Sequence, residues 1–346
     1  MHTDTHTYYM ALALQLAEQG RATVSPNPMV GCVIVKNSHI VGQGFHQCAG
    51  EPHAEVIALC AAGAESAGAT VYVTLEPCCH YGRTPPCIQA LITARVDKVY
   101  VACLDPNPLV AGKGVAALQA AGIAVEVGMG EQAAQRLNEV FFHYITYKRP
   151  FVIAKWAMSF DGKTVTNPQD SRYISHKDSL RHIHHLRQHV DAILIGAHTA
   201  RQDNPQLTAR FTADAKQPLR IILSSHDDLP VDLKIFDAHL PGKTVIATTA
   251  SKQESMQHHE VIILPADNTG RVSLMHLLEE LGKREITSLL VEGGMTVHAS
   301  FFNANLVNKI HVYLAPVIIG ALPVKQPVKN VHCEQVGRDF CFSMDF

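Results

Sequence analysis

The 346-residue sequence has little charge and no basic excess. Charged residues make up 17% of the chain and the formal net charge is −2, which argues against a broad nucleic-acid-binding surface. The first residues lack the basic and then apolar pattern of a signal peptide, and no apolar run has the length of a membrane span. The nine cysteines lack the spacing of a small disulfide-rich scaffold. We therefore expect a cytoplasmic protein without a nucleic-acid or membrane partner.

The length and the 47% content of hydrophobic residues predict two domains with sizeable cores. Helical and strand-like segments alternate in both halves, which predicts an α/β fold with largely parallel sheets. A break at Lys148-Arg149-Pro150 interrupts this alternation. We place the boundary there, with one domain over residues 1–148 and a second over residues 149–346.

Apolar periodicity predicts the individual elements. In the first half the predicted strands are Val30–Val35, Ala69–Leu75, Lys98–Leu104 and Ala124–Val127. The predicted helices there are Tyr8–Glu18, a helix opening at Glu51-Pro52, Ile88–Ala94, Val115–Ala121 and Gln132–Tyr147. In the second half the predicted strands are Phe151–Ala157, Ala192–Gly196, Leu219–Leu223, Thr244–Thr249, Val261–Leu264, Ser288–Val291 and Ile310–Leu314, and the predicted helices are His176–Val190, Leu274–Gly282 and Thr296–Asn303.

One set of residues in the first half points to metal chemistry. His53-Ala54-Glu55 is followed by Pro77-Cys78 and by Cys87. One imidazole and two thiolates are good zinc ligands, and three protein ligands leave a fourth position open, as in catalytic sites. The glutamate beside the histidine ligand matches the general acid/base of zinc deaminases. The pattern predicts zinc (Zn2+) at His53, Cys78 and Cys87, with Glu55 as the catalytic residue and Cys79 as a rival ligand for Cys78.

The spacing of the two cysteines indicates which class of zinc deaminase the sequence resembles. Nucleic-acid and nucleoside deaminases usually have Pro-Cys-x-x-Cys, whereas eight residues separate Cys78 from Cys87. The segment over residues 77–87 resembles the bifunctional deaminase–reductase family of riboflavin biosynthesis. The resemblance extends over nearly the whole chain, through Ser25-Pro26-Asn27-Pro28-Met29-Val30-Gly31, Thr74-Leu75-Glu76-Pro77-Cys78, Asp105-Pro106-Asn107-Pro108, Ser159-Phe160-Asp161-Gly162-Lys163 and Val291-Glu292-Gly293-Gly294.

This resemblance implies a cytidine-deaminase-like α/β/α domain followed by a dihydrofolate-reductase-like α/β domain. It implies deamination of 2,5-diamino-6-(5-phosphoribosylamino)pyrimidin-4(3H)-one, a small-molecule pyrimidine ribosyl phosphate. It then implies reduction of the ribosyl group of 5-amino-6-(5-phosphoribosylamino)uracil to ribityl with NADPH. A homo-oligomer is also an expectation from the resemblance.

The resemblance also implies contact residues in both halves. In the deaminase they are Asn27, His46, His80, Arg83, Asp105 and Asn107, and in the reductase the substrate contacts are Lys155, Ser171, Arg187, Leu207, Arg210 and Glu292. The implied NADPH contacts are Ala157, Tyr173, Thr199, Asp203, Gly293, Gly294, Met295 and Thr296. Glycines between a strand and a helix let backbone N–H groups approach a pyrophosphate. Either Asp203 or Glu292 is a candidate for proton transfer in the reduction.

Two other functions are open to the same residues. One is deamination of free or nucleic-acid bases, with an inert second domain; the long loop between the cysteines and the balanced charge argue against it. The other is a zinc-stabilised binding module, which has no need of Glu55.

Overall fold

A computed structural model describes residues 2–82, 84–164, 177–210, 215–225, 229–249, 259–319, 326–327, 329–336 and 339–345. The chain forms two compact units. The first contains Met1–Phe151 together with Leu278–Thr287, and the second contains Val152–Leu277 and Ser288–Phe346. Among the helices that the structure describes, none is both long and apolar enough to cross a membrane.

The first unit is built around a five-stranded sheet in the order β2-β1-β3-β4-β5. Its strands are β1 (Gly31–Lys36), β2 (His39–Phe45), β3 (Thr70–Val73), β4 (Lys98–Val101) and β5 (Ala124–Val127). Its helices are α1 (His2–Glu18), α2 (Ala54–Ala62), α3 (Cys87–Thr93), α4 (Lys113–Ala120), α5 (Glu131–Leu137) and α6 (Glu139–Tyr147).

This sheet is mixed, which corrects the expectation of a largely parallel one. Strands β3, β4 and β5 are parallel, but β1 runs antiparallel to both β2 and β3. The difference arises from β2, which the sequence analysis missed. Gly42 and Gly44 give this strand a weak β propensity. The glycines are needed because α2 packs directly on β2, and a Cβ at Gly42 would lie 2.2 Å from the Ala58 carbonyl oxygen.

Alternate residues of the strands enter two separate cores. Val71 and Val73 of β3 pack in a cluster with residues of α2 and α3, whereas Tyr72 lies between them in sequence and packs in a cluster with residues of α1. Helices therefore cover both faces of the sheet, which gives the α/β/α layers expected of a cytidine-deaminase-like domain.

Two helix predictions in the first unit differ from the structure. The predicted helix Gln132–Tyr147 is two helices, because Asn138 leaves the helical conformation and bonds with its side chain to the backbone N–H and carbonyl of Met29, each at 2.8 Å. Helix α2 begins at Ala54 rather than at Pro52, and His53 is its N-cap residue. Glu55 therefore lies in the first turn of that helix.

The second unit is built around a seven-stranded sheet in the order β10-β9-β8-β7-β11-β6-β12. Its strands are β6 (Phe151–Ser159), β7 (Ala192–Gly196), β8 (Leu219–Leu223), β9 (Thr244–Thr248), β10 (Glu260–Ile263), β11 (Ser288–Val291) and β12 (Lys309–Ala315). Its helices are α7 (Lys177–Gln188), α8 (Ala197–Asp203) and α10 (Met295–Asn303), and α9 (Leu274–Lys283) begins in this unit and ends in the first. Helix α8 was absent from the predicted elements.

The order of these strands contains a switch point. From β7 the chain continues through β8, β9 and β10 on one side, and it then returns to β11 on the other side of β7. Strands β7, β8, β9 and β10 are parallel, and so are the pairs β11–β7 and β12–β6. Ligands of open α/β sheets bind outside the carboxyl ends of the strands at such a point. Two short strands, β13 (Val317–Ile318) and β14 (Gln326–Pro327), and a hairpin of β15 (Lys329–Val336) and β16 (Asp339–Asp345) follow.

Candidate active sites

Three predicted zinc ligands come together in the first unit. The ligand atoms of His53, Cys78 and Cys87 all lie within 4.8 Å of one another. Nδ1 of His53 is 3.1 Å from the sulfur of Cys87 and 3.6 Å from that of Cys78. His53 precedes α2, Cys78 follows β3, and Cys87 is the first residue of α3. The amino ends of two helices therefore meet here, where their dipoles favour negative charge.

Two further contacts fix the orientation of these ligands. The hydroxyl oxygen of Thr84 lies 3.1 Å from Nε2 of His53, so Nδ1 is left to face the thiols. The backbone N–H of Cys87 donates to the sulfur of Cys78 at 3.3 Å. Partners of this kind hold metal-binding side chains in place in known metal sites. Thr84 was missed by the sequence analysis, because a single hydroxyl in a loop has no spacing that marks it.

The acidic side chain beside the cluster is buried. Glu55 is 3% exposed, and its Oε2 atom has no hydrogen-bond partner among the described residues. Burial raises the pKa of this carboxyl group, and the charge of Cys78 raises it further. A hydrogen bond from the Cys87 thiol is the largest of the effects that lower the pKa of Cys78 to about 4, so Cys78 is the first of the two thiols to ionise.

This donor set fits zinc. One imidazole nitrogen and two sulfur atoms converge, one sulfur is readily ionised, and a buried carboxylate oxygen beside them has no partner among the described residues. Cys79 does not join the cluster, and its sulfur contacts the Leu109 carbonyl oxygen at 3.6 Å instead.

Asn27 and His46 lie beside the cluster. Nδ2 of Asn27 is 3.0 Å from Nε2 of His46, and Nδ1 of His46 is 3.2 Å from the Pro52 carbonyl oxygen. The second contact requires a proton on Nδ1, so Nε2 accepts from the Asn27 amide. The ring of His46, 2% exposed, also packs against the ring of His53 at 5.2 Å. His46 therefore has protein partners at both ring nitrogens, and it orients Asn27.

The loop after β4 contributes two more predicted contacts. Oδ1 of Asp105 accepts a hydrogen bond from the Asn107 N–H at 2.8 Å, and Oδ1 of Asn107 accepts one from the Leu109 N–H at 3.1 Å. Burial raises the pKa of Asp105 to about 6. Nδ1 of His80 is buried and has no partner among the described residues. Arg83, the predicted phosphate contact, lies outside the described residues.

In the second unit the predicted residues collect at the switch point of the sheet. Gly293 and Gly294 connect β11 to α10, and Thr199 lies on α8, directly after β7. A Cβ at Gly293 would lie 2.9 Å from Thr199 Cγ2, and one at Gly294 would lie 3.1 Å from its hydroxyl oxygen. Gly294 also has a φ of 76°, a conformation that favours glycine. The close approach of the two helix starts fits a pyrophosphate, since the first N–H groups of a helix have no partner within it.

Glu292 forms a buried ion-pair cluster next to these glycines. Arg187 binds both oxygens of Glu292 at 2.7 and 2.9 Å, and Nζ of Lys155 lies 3.6 Å from Oε2. Arg187 also donates to the Thr208 carbonyl oxygen at 3.1 Å. Burial raises the pKa of Glu292, but the charges of Arg187 and Lys155 outweigh that effect and lower it to about 2. Glu292 is therefore ionised at neutral pH.

The other predicted reductase residues are more dispersed. Leu207 is buried with a φ of 53°, and Arg210 is exposed and bonded to Gln206. Asp203 is exposed at the end of α8, and Ala157 is half-buried on β6. Met295 and Thr296 are exposed in the first turn of α10. Ser171 and Tyr173 lie outside the described residues.

Two family models match the chain. The family described as "Cytidine and deoxycytidylate deaminase zinc-binding region" matches residues 3–103, and the family described as "RibD C-terminal domain" matches residues 150–342. The riboflavin biosynthesis protein RibD of Aquifex aeolicus is 44% identical over 316 residues, which is 90% of this chain and 87% of that protein.

Solved structures give the same result over the whole chain. RibD of Acinetobacter baumannii is 36% identical with a TM-score of 0.83, covering 99% of both chains. A diaminohydroxyphosphoribosylaminopyrimidine deaminase/5-amino-6-(5-phosphoribosylamino)uracil reductase from Thermotoga maritima is 33% identical with a TM-score of 0.84, covering 100% of this chain and 99% of that one. The chain therefore belongs to the RibD family of riboflavin biosynthesis proteins, with a cytidine-deaminase-like domain followed by a dihydrofolate-reductase-like RibD C-terminal domain.

Proposed function

We propose that residues 1–148 deaminate 2,5-diamino-6-(5-phosphoribosylamino)pyrimidin-4(3H)-one and that residues 149–346 reduce the deaminated product with NADPH. The protein is a bifunctional enzyme of riboflavin biosynthesis, a zinc-dependent hydrolase and an NADPH-dependent oxidoreductase. The observation that carries the assignment of the first step is Glu55, a buried carboxylate with an unbonded oxygen next to His53, Cys78 and Cys87.

In the first step one water is consumed and one ammonia is released. His53, Cys78 and Cys87 would hold zinc, which would lower the pKa of a bound water. Glu55 carries the two protons of the attacking water in turn, the first to the ring nitrogen next to the substrate carbon and the second to the amino group that leaves as ammonia. Its burial raises its pKa, which favours uptake of a proton by this carboxylate. A zinc-stabilised binding module has no use for a carboxylate in this position.

Other side chains of the first unit hold the substrate. His46 directs Asn27, while Asp105, Asn107 and His80 offer polar atoms from neighbouring loops. We assign Asn27, His80, Asp105 and Asn107 to the pyrimidine and ribose phosphate, and Arg83 to the phosphate itself. His46 acts mainly by orienting Asn27.

In the second step bound NADPH would supply a hydride to C1′ of the opened ribose. Gly293, Gly294, Met295 and Thr296 at the start of α10, with Ala157, Tyr173, Thr199 and Asp203, bind the cofactor. The substrate contacts are Lys155, Ser171, Arg187, Leu207, Arg210 and Glu292. Because Glu292 is ionised at neutral pH and bound to Arg187, it fixes the two cations rather than donating a proton. Asp203, exposed at the end of α8, is the better candidate for proton transfer.

The protein acts in the cytoplasm as a homo-oligomer and has no nucleic-acid partner. The cysteines that the structure describes are free thiols, which suits a reducing compartment.

Strand β12 is an edge strand, and it exposes 50% of Ile310 and 39% of Val312. A second copy of the chain covering this edge would bury them. Light scattering on the purified protein tests this, and a monomer at micromolar concentration would refute it.

A coupled assay tests the two activities together. Purified protein receives the diaminopyrimidinone ribosyl phosphate and NADPH, and ammonia release and NADPH absorbance are followed with and without a zinc chelator. We expect ammonia first and NADPH loss second, with both signals suppressed by the chelator. Addition of the deaminated intermediate restores NADPH loss alone. Release of ammonia from cytidine at a comparable rate would instead favour a general base deaminase.

A further inference from the structure

The side chain of Glu76 is bound by three backbone N–H groups, from the loop after β4 and from the start of α4. Its Oε2 atom accepts from Asp105 at 3.3 Å and from Gly112 at 2.9 Å, and its Oε1 atom accepts from Val115 at 3.1 Å. Glu76 is 3% exposed, and none of the ion pairs between described residues involves it. The N–H groups therefore satisfy a buried carboxylate that has no cation beside it in the described part of the chain.

The two segments that this carboxylate joins both belong to the deaminase site. Glu76 precedes the zinc ligand Cys78 by two residues, and the loop it binds begins with Asp105 and Asn107. Asp105 and Asn107 each use one side-chain oxygen to hold the loop backbone. Among the described residues, the hydrogen bonds of these two side chains use one oxygen each, which leaves the second oxygen of Asp105 and the amide nitrogen of Asn107 for a ligand.

Helix α4 packs closely against the segment that contains Glu76 and Pro77. A Cβ added at Gly114 would lie 2.2 Å from the Pro77 carbonyl oxygen and 3.1 Å from Oε1 of Glu76. The start of α4 is therefore in direct contact with the segment that leads to Cys78. This packing is an observation independent of the three hydrogen bonds. It also holds the start of α4 against the segment that leads to Cys78.

We propose that Glu76 is a positioning residue for substrate binding in the deaminase. Its carboxylate holds the loop that carries Asp105 and Asn107 at a fixed place relative to Cys78. This inference rests on the proposed deaminase function. The role is in binding the pyrimidine ribosyl phosphate, and it leaves metal binding and proton transfer to other residues.

The substitution Glu76→Gln tests this role. The amide keeps one acceptor oxygen but turns a donor toward at least one backbone N–H, so the loop loses contacts while the side-chain size is preserved. For ammonia release we expect KM to rise about tenfold, the effect of losing one hydrogen bond to a charged group, with kcat changed less than about threefold. The zinc content and the reduction of the added intermediate stay at wild-type values.

Hydrogen exchange provides a readout that does not depend on turnover. In the Glu76→Gln protein the amides of Asp105, Gly112 and Val115 exchange faster than in the wild type, whereas those of β4 do not. Glu65→Gln is the matched control, because Glu65 is an exposed glutamate of the same unit and has no part in the site. It leaves KM and these exchange rates unchanged.

A second variant applies if Glu76→Gln fails to fold. Gly114→Ala keeps the carboxylate but places a Cβ 2.2 Å from the Pro77 carbonyl oxygen, so the start of α4 must move away from the segment that leads to Cys78. We expect KM for ammonia release to rise in the same way. Unchanged KM in both variants overturns the positioning role, and so does a fall in kcat or zinc content with KM unaltered. Absence of ammonia release by the wild-type protein overturns the proposed function itself, which is a different outcome from a wild-type rate with insensitive variants.

Discussion

The hydroxyl of Thr84 lies 3.1 Å from Nε2 of His53, on the side of the ring opposite the two cysteine sulfurs. With Thr84 at Nε2, Nδ1 of His53 faces the two sulfurs and is the nitrogen that we expect to bind metal. Thr84 comes from the loop between Cys78 and Cys87, so the loop that sets the spacing of the ligands also holds the histidine in its orientation.

Replacing Thr84 tests this orientation. In Thr84→Val the ring loses its partner at Nε2, and we expect zinc affinity to fall about 10- to 100-fold, as for other groups that orient metal ligands. Thr84→Ser keeps the hydroxyl and is the matched control. Competition with a chromogenic chelator measures both, and equal affinities for the valine and serine variants would contradict the assignment.

The second prediction concerns NADPH binding by the glycines at the start of α10. Gly293→Ala places a Cβ against Thr199 and Ile195 at 2.9 Å each, so it displaces the turn from its neighbours. We expect the Kd for NADPH to rise about tenfold or more, which corresponds to about 1.4 kcal/mol, with deamination unaltered. Fluorescence titration with NADPH measures the Kd.

Comparing Gly294→Ala with Gly270→Ala shows whether a loss of NADPH affinity comes from backbone strain or from the position of the glycine in the site. Gly294 has a φ of 76°, and Gly270 has a φ of 79° in open space away from the switch point. Both substitutions cost about 1 kcal/mol of backbone strain, but only Gly294→Ala weakens NADPH binding. A comparable loss of NADPH affinity in Gly270→Ala would mean that general destabilisation, rather than the site, explains the result.

The cluster of Glu292, Arg187 and Lys155 predicts a pH dependence. The pKa of Glu292 is lowered from 4.5 to about 2 in the folded protein. A lowered pKa stabilises the fold above the unfolded value, and that contribution is lost as pH falls from about 4.5 towards 2. In Glu292→Gln the cations lose their counter-charge, so we expect a loss of about 3 kcal/mol near neutral pH that diminishes over this range.

Fluorescence of Trp156 measures this effect within the second unit. The chain has a single tryptophan, and it lies on β6 beside His298 and Phe302. Urea unfolding of the wild type and of Glu292→Gln from pH 7 to pH 2 gives the difference in stability at each pH. A difference that stays constant across the range would show that ionised Glu292 does not stabilise the fold.

The convergence of His53, Cys78 and Cys87 was predictable from sequence because metal chemistry restricts residue types and spacing. His53, Cys78 and Cys87 converge as the motif indicates, and Glu55 lies beside them. Glu76 belongs to the same motif, but its role was not visible. Its partners lie about 30 to 40 residues further along the chain and bind through backbone N–H groups, which have no residue signature.

Strands were predictable from the sequence where burial requires a run of apolar residues. Strands β7, β8 and β11 have the predicted bounds, since each is a short apolar run buried in the sheet. Strand β2 was missed because Gly42 and Gly44 are chosen for contact with α2 rather than for strand propensity. The break between α5 and α6 was missed because Asn138 leaves the helix to bind Met29, over 100 residues away in sequence.

The decisive experiment on the deaminase assignment measures the two activities of Glu55→Gln separately. We predict that ammonia release falls by about 10²- to 10⁴-fold, while the variant binds as much zinc as the wild type and reduces added deaminated intermediate with NADPH at the wild-type rate. Wild-type ammonia release by Glu55→Gln would contradict the assignment, because the buried carboxylate beside His53, Cys78 and Cys87 would then have no part in the chemistry.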